Sequence, residues 1–277
     1  MPKSVRDIVS MKNSKKITVI TAYDYTTSQL CDKAGVDIML VGDSAGMVML
    51  GYDNTIPVTM DQMCLFTEAV SRGRQNALVV ADMPFMSYQS NKSQAIENAG
   101  RLVKSGADAV KLEGGTEIKD TIHAIVEIGI PVMGHIGFQP QTTTLQEGYK
   151  VQAKTKDAAL RLIDSAKALE KAGAFCITLE MVTREVSKII SGSVSIPTIG
   201  IGSGPDCDGQ VLVVHDLLGL YEKIKPKFAK RYLELSSEVI GAIQSYKNDV
   251  TSGKFPGPEH SFLMEKSELE RLRKEIG

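Results

Sequence analysis

Four stretches of the chain repeat one short grammar, and that grammar restricts the fold more than any single motif. AGVDIMLVGD (34–43), SGADAVKLEG (105–114), IGIPVMGHIG (128–137) and AGAFCITLEM (172–181) each run from a helix-closing glycine through a short apolar run to a polar residue. Such runs are too short for helices and too uniformly apolar for half-exposed strands, so they read as strands buried on both faces. A fifth strand, ALVVAD, ends in the same way on Asp82. The polar residues at or just past the ends of these five strands are Asp43, Asp82, Glu113, His135 and Glu180.

Read in order, strands are expected at 17–23, 38–41, 77–82, 109–113, 131–135, 174–180, 197–202 and 211–215, alternating with amphipathic helices. The expected fold class is therefore α/β, a (β/α)8 TIM barrel, with a doubly wound open sheet as the alternative. Ser4 and Asp7 form a capping-box pattern for a short N-terminal helix covering one end of the barrel. The segment 200–210 is too short and glycine-rich for a full helix, so the seventh helix is expected to be truncated. A last long helix over 227–248 carries Phe228, Tyr232, Leu235, Val239, Ile243 and Tyr246 at helical spacing, a stripe for packing on the barrel or on a neighbouring subunit. The expected organisation is a single barrel domain over 1–277, with the charged segment 263–277 as a peripheral tail.

Composition narrows the partners. The 277 residues are 43% hydrophobic and 23% charged, with a formal net charge of −1, which gives no electrostatic reason to expect nucleic acid or an anionic membrane. No apolar run approaches the roughly 20 residues needed to span a bilayer, and 1–16 is too polar for a signal peptide, so a cytoplasmic location is expected. Cys31, Cys64, Cys176 and Cys207 form no CxxC pair and read as reduced packing residues. There is no HxxxH pair, GIGSGPDCDG is neither a full GxGxxG nor a Walker A loop, and no GxSxG nucleophile is present. A phosphate site after strands seven and eight stays open by barrel analogy.

In such barrels the C-terminal strand ends form one rim, so the five polar residues would face one cavity. Any one acid alone could simply cap the following helix. Carboxylates crowded together repel, and an all-oxygen donor set favours Mg2+ over zinc. Magnesium keeps water positions that a chelating substrate such as a 2-oxo acid can fill. Lys111 lies two residues before Glu113 on the same strand face, where it either contacts an anionic substrate or pairs with Glu113 or Asp82. Glu180 is left as a base, since a metal-polarised ketone acidifies its adjacent C–H.

The segments TAYDYTTSQL, LVGDSAGMVMLGYDNTIPVTM, VVADMPFMSYQ, AVKLEGG, PVMGHIGFQPQ, GYKVQAKT, PTIGIGSGPDCDGQVLVVHDLLGL and FPGPEHSF together resemble the ketopantoate hydroxymethyltransferase family, in order, over roughly 17–262. The resemblance implies transfer of a hydroxymethyl group from 5,10-methylenetetrahydrofolate to 3-methyl-2-oxobutanoate, giving ketopantoate for pantothenate and coenzyme A synthesis. It implies that Asp43, Asp82 and Glu113 carry or surround magnesium and that Ser44 and Lys111, beside Asp43 and Asp82, bind the oxo acid. Glu180 matches the proton acceptor, and His135 a nearby polar contact. It implies a homo-oligomer, commonly a decamer, and leaves the folate contacts unassigned. Gly202-Ser203-Gly204 stands where the family commonly has GAG, and Val151-Gln152-Ala153-Lys154 where it has VQGK. The aperiodic stretch 138–155 reads either as a lid over the site or as an ordered subunit contact. A magnesium-dependent carbon–carbon lyase or phosphoenolpyruvate mutase of related architecture is the rival reading, and a non-catalytic binding barrel the third.

Overall fold

The computed structural model describes residues 2–145, 150–223 and 225–277. Among them eight parallel strands close into a barrel in sequence order: β1 (Ile17–Thr21), β2 (Ile38–Val41), β3 (Leu78–Asp82), β4 (Ala109–Glu113), β5 (Val132–Gly137), β6 (Cys176–Glu180), β7 (Thr198–Ile201) and β8 (Gly209–Leu212). Closure is direct, with Val19 of β1 in register with Val211 of β8. The helices are α1 (Val5–Ser10), α2 (Tyr25–Lys33), α3 (Ala45–Val48), α4 (Met60–Gly73), α5 (Lys92–Lys104), α6 (Lys119–Glu127), α7 (Lys156–Lys171), α8 (Arg184–Ser193), α9 (Val214–Leu218), α10 (Leu235–Thr251) and α11 (Lys266–Ile276). The glycine in each of the four repeats takes a positive φ between 80° and 102°, which lets each helix end tightly before the next strand.

Strand parity sorts the side chains. Ile17, Val19, Ile38, Leu40, Leu78, Val80, Ala109, Met133, Cys176, Ile199 and Val211 form an apolar cluster inside the barrel. Alternate residues such as Met39, Val41, Val79, Val110 and Leu179 join the helices in the outer core. Continuing the inner parity two residues at a time reaches Asp82, Lys111, Glu113, His135, Thr178 and Glu180, so the alternation that buries the apolar layers also places the polar layer at the top.

The barrel floor is closed by α1. Ser4 and Asp7 form the expected capping box, with Ser4 N donating to Asp7 Oδ2 at 2.7 Å. Ile8 is fully buried among the inner apolar residues. Beside it Asp208 Oδ2 accepts from Lys12 Nζ and from Thr198 N, each at 2.8 Å, tying α1 to β7 and to the start of β8.

Three expectations need correction. Strand eight runs over Gly209–Leu212 rather than 211–215, and His215 lies in α9 instead of at a strand end. Gly209 can open the strand because it has no Cβ to collide with the Ile17 carbonyl. A helix, α8, follows β6 where the sequence reading assigned none; its inward face mixes Ser187 and Ser191 with Val186 and Ile190, which weakens the apolar period. The long helix α10 begins at Leu235 rather than 227, because Tyr232 N donates to Leu217 O and the Arg231 guanidinium to Tyr221 O, holding the approach in a non-helical path. As expected, no full helix separates β7 from β8 among the described residues.

None of the residues of α10 is buried, and Val239, Ile240, Ile243, Tyr246 and Val250 stand exposed. The outer face of β1 and β8 is correspondingly bare: Thr18 and Gln210 are exposed in a groove of about 1370 Å³ walled by Leu30, Leu212, Leu218 and Phe228. The C-terminal segment forms α11, likewise with no buried residue.

Candidate active site

All seven residues singled out in the sequence line one cavity of about 160 Å³ at the C-terminal end of the strands: Asp43, Ser44, Asp82, Lys111, Glu113, His135 and Glu180. β3, β4, β5 and β6 deliver five of them as rigid strand-end groups, with Asp82 in register with Lys111 and Glu113 with His135. Asp43 and Ser44 lie just past β2, where Asp43 N donates to Asp82 Oδ2 at 3.1 Å. The Ser44 hydroxyl is 2.8 Å from the hydroxyl of the buried Tyr23.

Charge is arranged in two linked groups. Lys111 Nζ lies 2.5 Å from Asp82 Oδ1, both side chains about 95% buried from solvent (5% and 4% exposed). Burial opposes the lysine's charge, but Asp82, Glu113 and Asp43 overcome it and raise its pKa. The second group is centred on His135, whose Nδ1 is 3.4 Å from Glu113 Oε1 and whose Nε2 is 3.2 Å from Glu180 Oε2. Both ring nitrogens are too poorly aligned for hydrogen bonds, so these contacts are ionic. Burial disfavours the imidazolium, yet Glu113 outweighs it and lifts the pKa to about 9, making His135 a cation at neutral pH. Burial raises the Glu113 carboxyl and the His135 charge more than reverses this, holding it below the usual carboxylate range. Asp43 moves the other way: burial, then Asp82 and Glu113, push its carboxyl well above that range.

Four strand-end carboxylates thus face two cationic side chains, leaving an excess of negative charge suited to one divalent cation. The donors are oxygens, the chemistry of a hard cation. Among the described residues no three carboxylate, imidazole or thiolate side chains close into a complete metal shell. Magnesium commonly takes only one or two carboxylates and fills its remaining positions with water or substrate.

The sequence reading missed several lining groups. Gln141 and Tyr88 are buried against the carboxylates, and Asp216, Tyr221 and Phe228 line the mouth. Gln141 fell inside the aperiodic stretch 138–155, where no period marks a buried residue. Its PQ neighbourhood was the available signal. The first part of that stretch is docked, with Phe138 N donating to Glu180 O at 2.8 Å; the part of the expected lid at 146–149 lies outside the described residues. Gly137 makes this docking possible. Its φ is 102°, and a Cβ there would meet the Glu180 carbonyl.

A family model described as ketopantoate hydroxymethyltransferase matches residues 2–258. A 3-methyl-2-oxobutanoate hydroxymethyltransferase of Nitrosopumilus maritimus (strain SCM1) is 66% identical over 278 residues, covering 100% of both chains. One from Geobacter metallireducens is 54% identical, covering 94% of this chain and 98% of its own length. Among solved structures, phosphonopyruvate hydrolase in complex with oxalate and Mg2+ shares the fold, with a TM-score of 0.61, 12% identity, and coverage of 100% of this chain and 96% of the other.

Proposed function

The chain belongs to the ketopantoate hydroxymethyltransferase family and is an enzyme, and we propose that it builds ketopantoate by adding the methylene carbon of 5,10-methylenetetrahydrofolate to C3 of 3-methyl-2-oxobutanoate as a hydroxymethyl group, with water supplying the hydroxyl and tetrahydrofolate released. One observation carries the mechanism. Among the described residues the Glu180 carboxylate has His135 as its only side-chain partner, while Asp43, Asp82 and Glu113 are each engaged by further donors.

Asp43, Asp82 and Glu113 would hold or surround magnesium, and that ion, when bound, would draw electron density from the ketone and make the C3 proton removable. Lys111 and the Ser44 hydroxyl would seat the oxo acid's anionic end and keep C3 turned toward Glu180. Glu180 takes the proton, and His135, 3.2 Å away, compensates its charge. The strand-borne groups move little, so the proton acceptor is in place before substrate arrives. No side chain need form a covalent bond to substrate, in keeping with the missing nucleophile motif.

The reading extends to assembly and location. A second copy of the chain is the natural cover for the exposed stripe of α10 and the bare β1–β8 face, which supports a homo-oligomer. No helix among the described residues is long and apolar enough to cross a membrane, and the four cysteines carry free thiols, which suits a cytoplasmic enzyme.

The test is proton exchange. The enzyme, 3-methyl-2-oxobutanoate, tetrahydrofolate and magnesium are mixed in D2O and the C3 proton is followed by NMR. Exchange by the wild type, slowed about 10²- to 10⁴-fold by Glu180→Gln and lost on metal chelation, is the expected result. Folded wild-type enzyme without exchange would dismiss the proposed substrate or base.

A further inference from the structure

Gln141 is 1% exposed, and both ends of its side-chain amide and its backbone N–H are hydrogen-bonded. Its Nε2 donates to Asp43 Oδ2 at 2.9 Å and to the Met83 carbonyl at 2.8 Å. Its Oε1 accepts from the Tyr88 hydroxyl at 2.8 Å, and its backbone N–H donates to Glu113 Oε2 at 3.1 Å. The amide orientation follows from these partners, since the nitrogen faces two acceptors and the oxygen faces a donor. Tyr88, 2% exposed, is itself locked to β4, lying 2.9 Å from the Glu113 carbonyl and accepting from Glu113 N at 3.1 Å.

One residue therefore touches two of the three carboxylates assigned above to the metal, from a loop that belongs to neither of their strands. The chemical type matters. Asp43, Asp82 and Glu113 in one pocket repel, and Lys111 and His135 offset only part of that repulsion when no divalent cation is bound. A lysine or arginine at 141 would hold them but would also cancel the charge that attracts a cation. A neutral amide satisfies one oxygen of Asp43 without cancelling charge, and Asp43 Oδ1 keeps no hydrogen-bond donor among the described residues and is left for a cation. Glu113 is fixed in the same way, with Oε2 on the Gln141 N–H and Oε1 facing His135.

We propose that Gln141, anchored by Tyr88, is a positioning residue that presets Asp43 and Glu113 for a divalent cation, so that seating of residues 138–141 and cation binding support each other. This rests on the magnesium reading of the site, and the experiment separates the two. Mn2+ serves as the probe, its binding to the full-length protein measured by electron paramagnetic resonance for wild type, Gln141→Ala and the near-isosteric Tyr88→Phe. Thermal melts of each variant accompany the titrations. The same proteins are assayed for C3 exchange across a range of metal concentrations.

Gln141→Ala is expected to weaken Mn2+ about 10- to 100-fold, and Tyr88→Phe about three- to tenfold, the share of one neutral hydrogen bond. Exchange in both should recover toward the wild-type maximum at saturating metal. A purely structural role would lower that maximum and leave the metal constant alone. Unchanged Mn2+ affinity in folded Gln141→Ala, or in Tyr88→Phe should Gln141→Ala not fold, overturns the proposal. A wild type that binds no Mn2+ overturns the magnesium reading itself and this inference with it.

Discussion

Replacing Lys111 with methionine removes the only lysine from the carboxylate cluster while keeping an unbranched stem in its place. The ammonium lies 2.5 Å from Asp82 Oδ1 and both side chains are almost wholly buried. At that separation, with an effective dielectric near 20, the pair attracts by roughly 6–7 kcal/mol. Much of that offsets the cost of taking two charges out of water, and deleting one partner of a buried pair leaves a net loss of about 3–5 kcal/mol. Unfolding entropy of about 2.1 cal/mol/K per residue gives roughly 0.6 kcal/mol/K for this chain. The melting temperature of Lys111→Met in metal-free buffer should then fall by about 5–9 °C. Because Asp82 loses its paired cation and Asp43 and Glu113 lose a neighbouring one, added Mg2+ should raise the melting temperature of the variant more than that of wild type. Differential scanning calorimetry with EDTA or with Mg2+ reads both effects. A variant melting within about 1 °C of wild type would mean that the pair carries no net stability. Equal magnesium shifts in the two proteins would refute the idea that lysine and metal compensate the same charges.

Other consequences follow from other parts of the chain. Burial raises the Asp208 carboxyl, but Lys12 and the Thr198 N–H outweigh it and hold it below its ordinary value. Its stabilising contribution is therefore complete above the unfolded pKa of about 3.9 and is lost as pH falls through the lower folded value. Asp208→Asn should cost about 2–4 kcal/mol at pH 7 by urea unfolding, less than a deeply buried pair because this one lies near the barrel end; a penalty that persists undiminished at pH 3 would contradict the linkage. Ile8→Ala opens a cavity in the barrel floor and should cost about 2–5 kcal/mol, with the exchange rate per folded molecule unchanged. Gly137→Ala forces a side chain into a left-handed backbone position against the Glu180 carbonyl. It should cost more than about 1 kcal/mol and reduce C3 exchange; wild-type exchange in this variant would show that the β5–β6 contact does not position Glu180.

How much of this was legible in the sequence depended on the range of the interactions involved. Short-range patterns determined the barrel. Each of the four repeats of glycine followed by an apolar run announces a buried strand, and the two-residue period of a strand carries each inner row to a polar end residue. For the same reason Asp82, Lys111, Glu113, His135 and Glu180 could be picked out before any coordinates, and the cavity does collect them. Where a period was diluted the reading failed: α8 was missed because serines share its inward face, and α10 was begun too early because hydrogen bonds to α9 and its flank hold 227–234 out of the helix.

Tertiary structure alone decided the electrostatics and the supporting contacts. Which carboxylate is held ionised and which is pushed toward neutrality depends on distances between strands remote in sequence. Asp43 rises beside Asp82 and Glu113, while Glu113 falls beside His135. Gln141 reaches Asp43 across 98 positions of chain. Nothing local to residue 141 encodes that contact, because residues 138–141 show no period and are held by the groups they meet. Sequence by itself determined which chemical groups stand at the strand ends, since strand periodicity is a property of the local backbone. Their charges, partners and readiness for a cation came only from closing the barrel, which brings those groups within a few ångströms of one another and away from water.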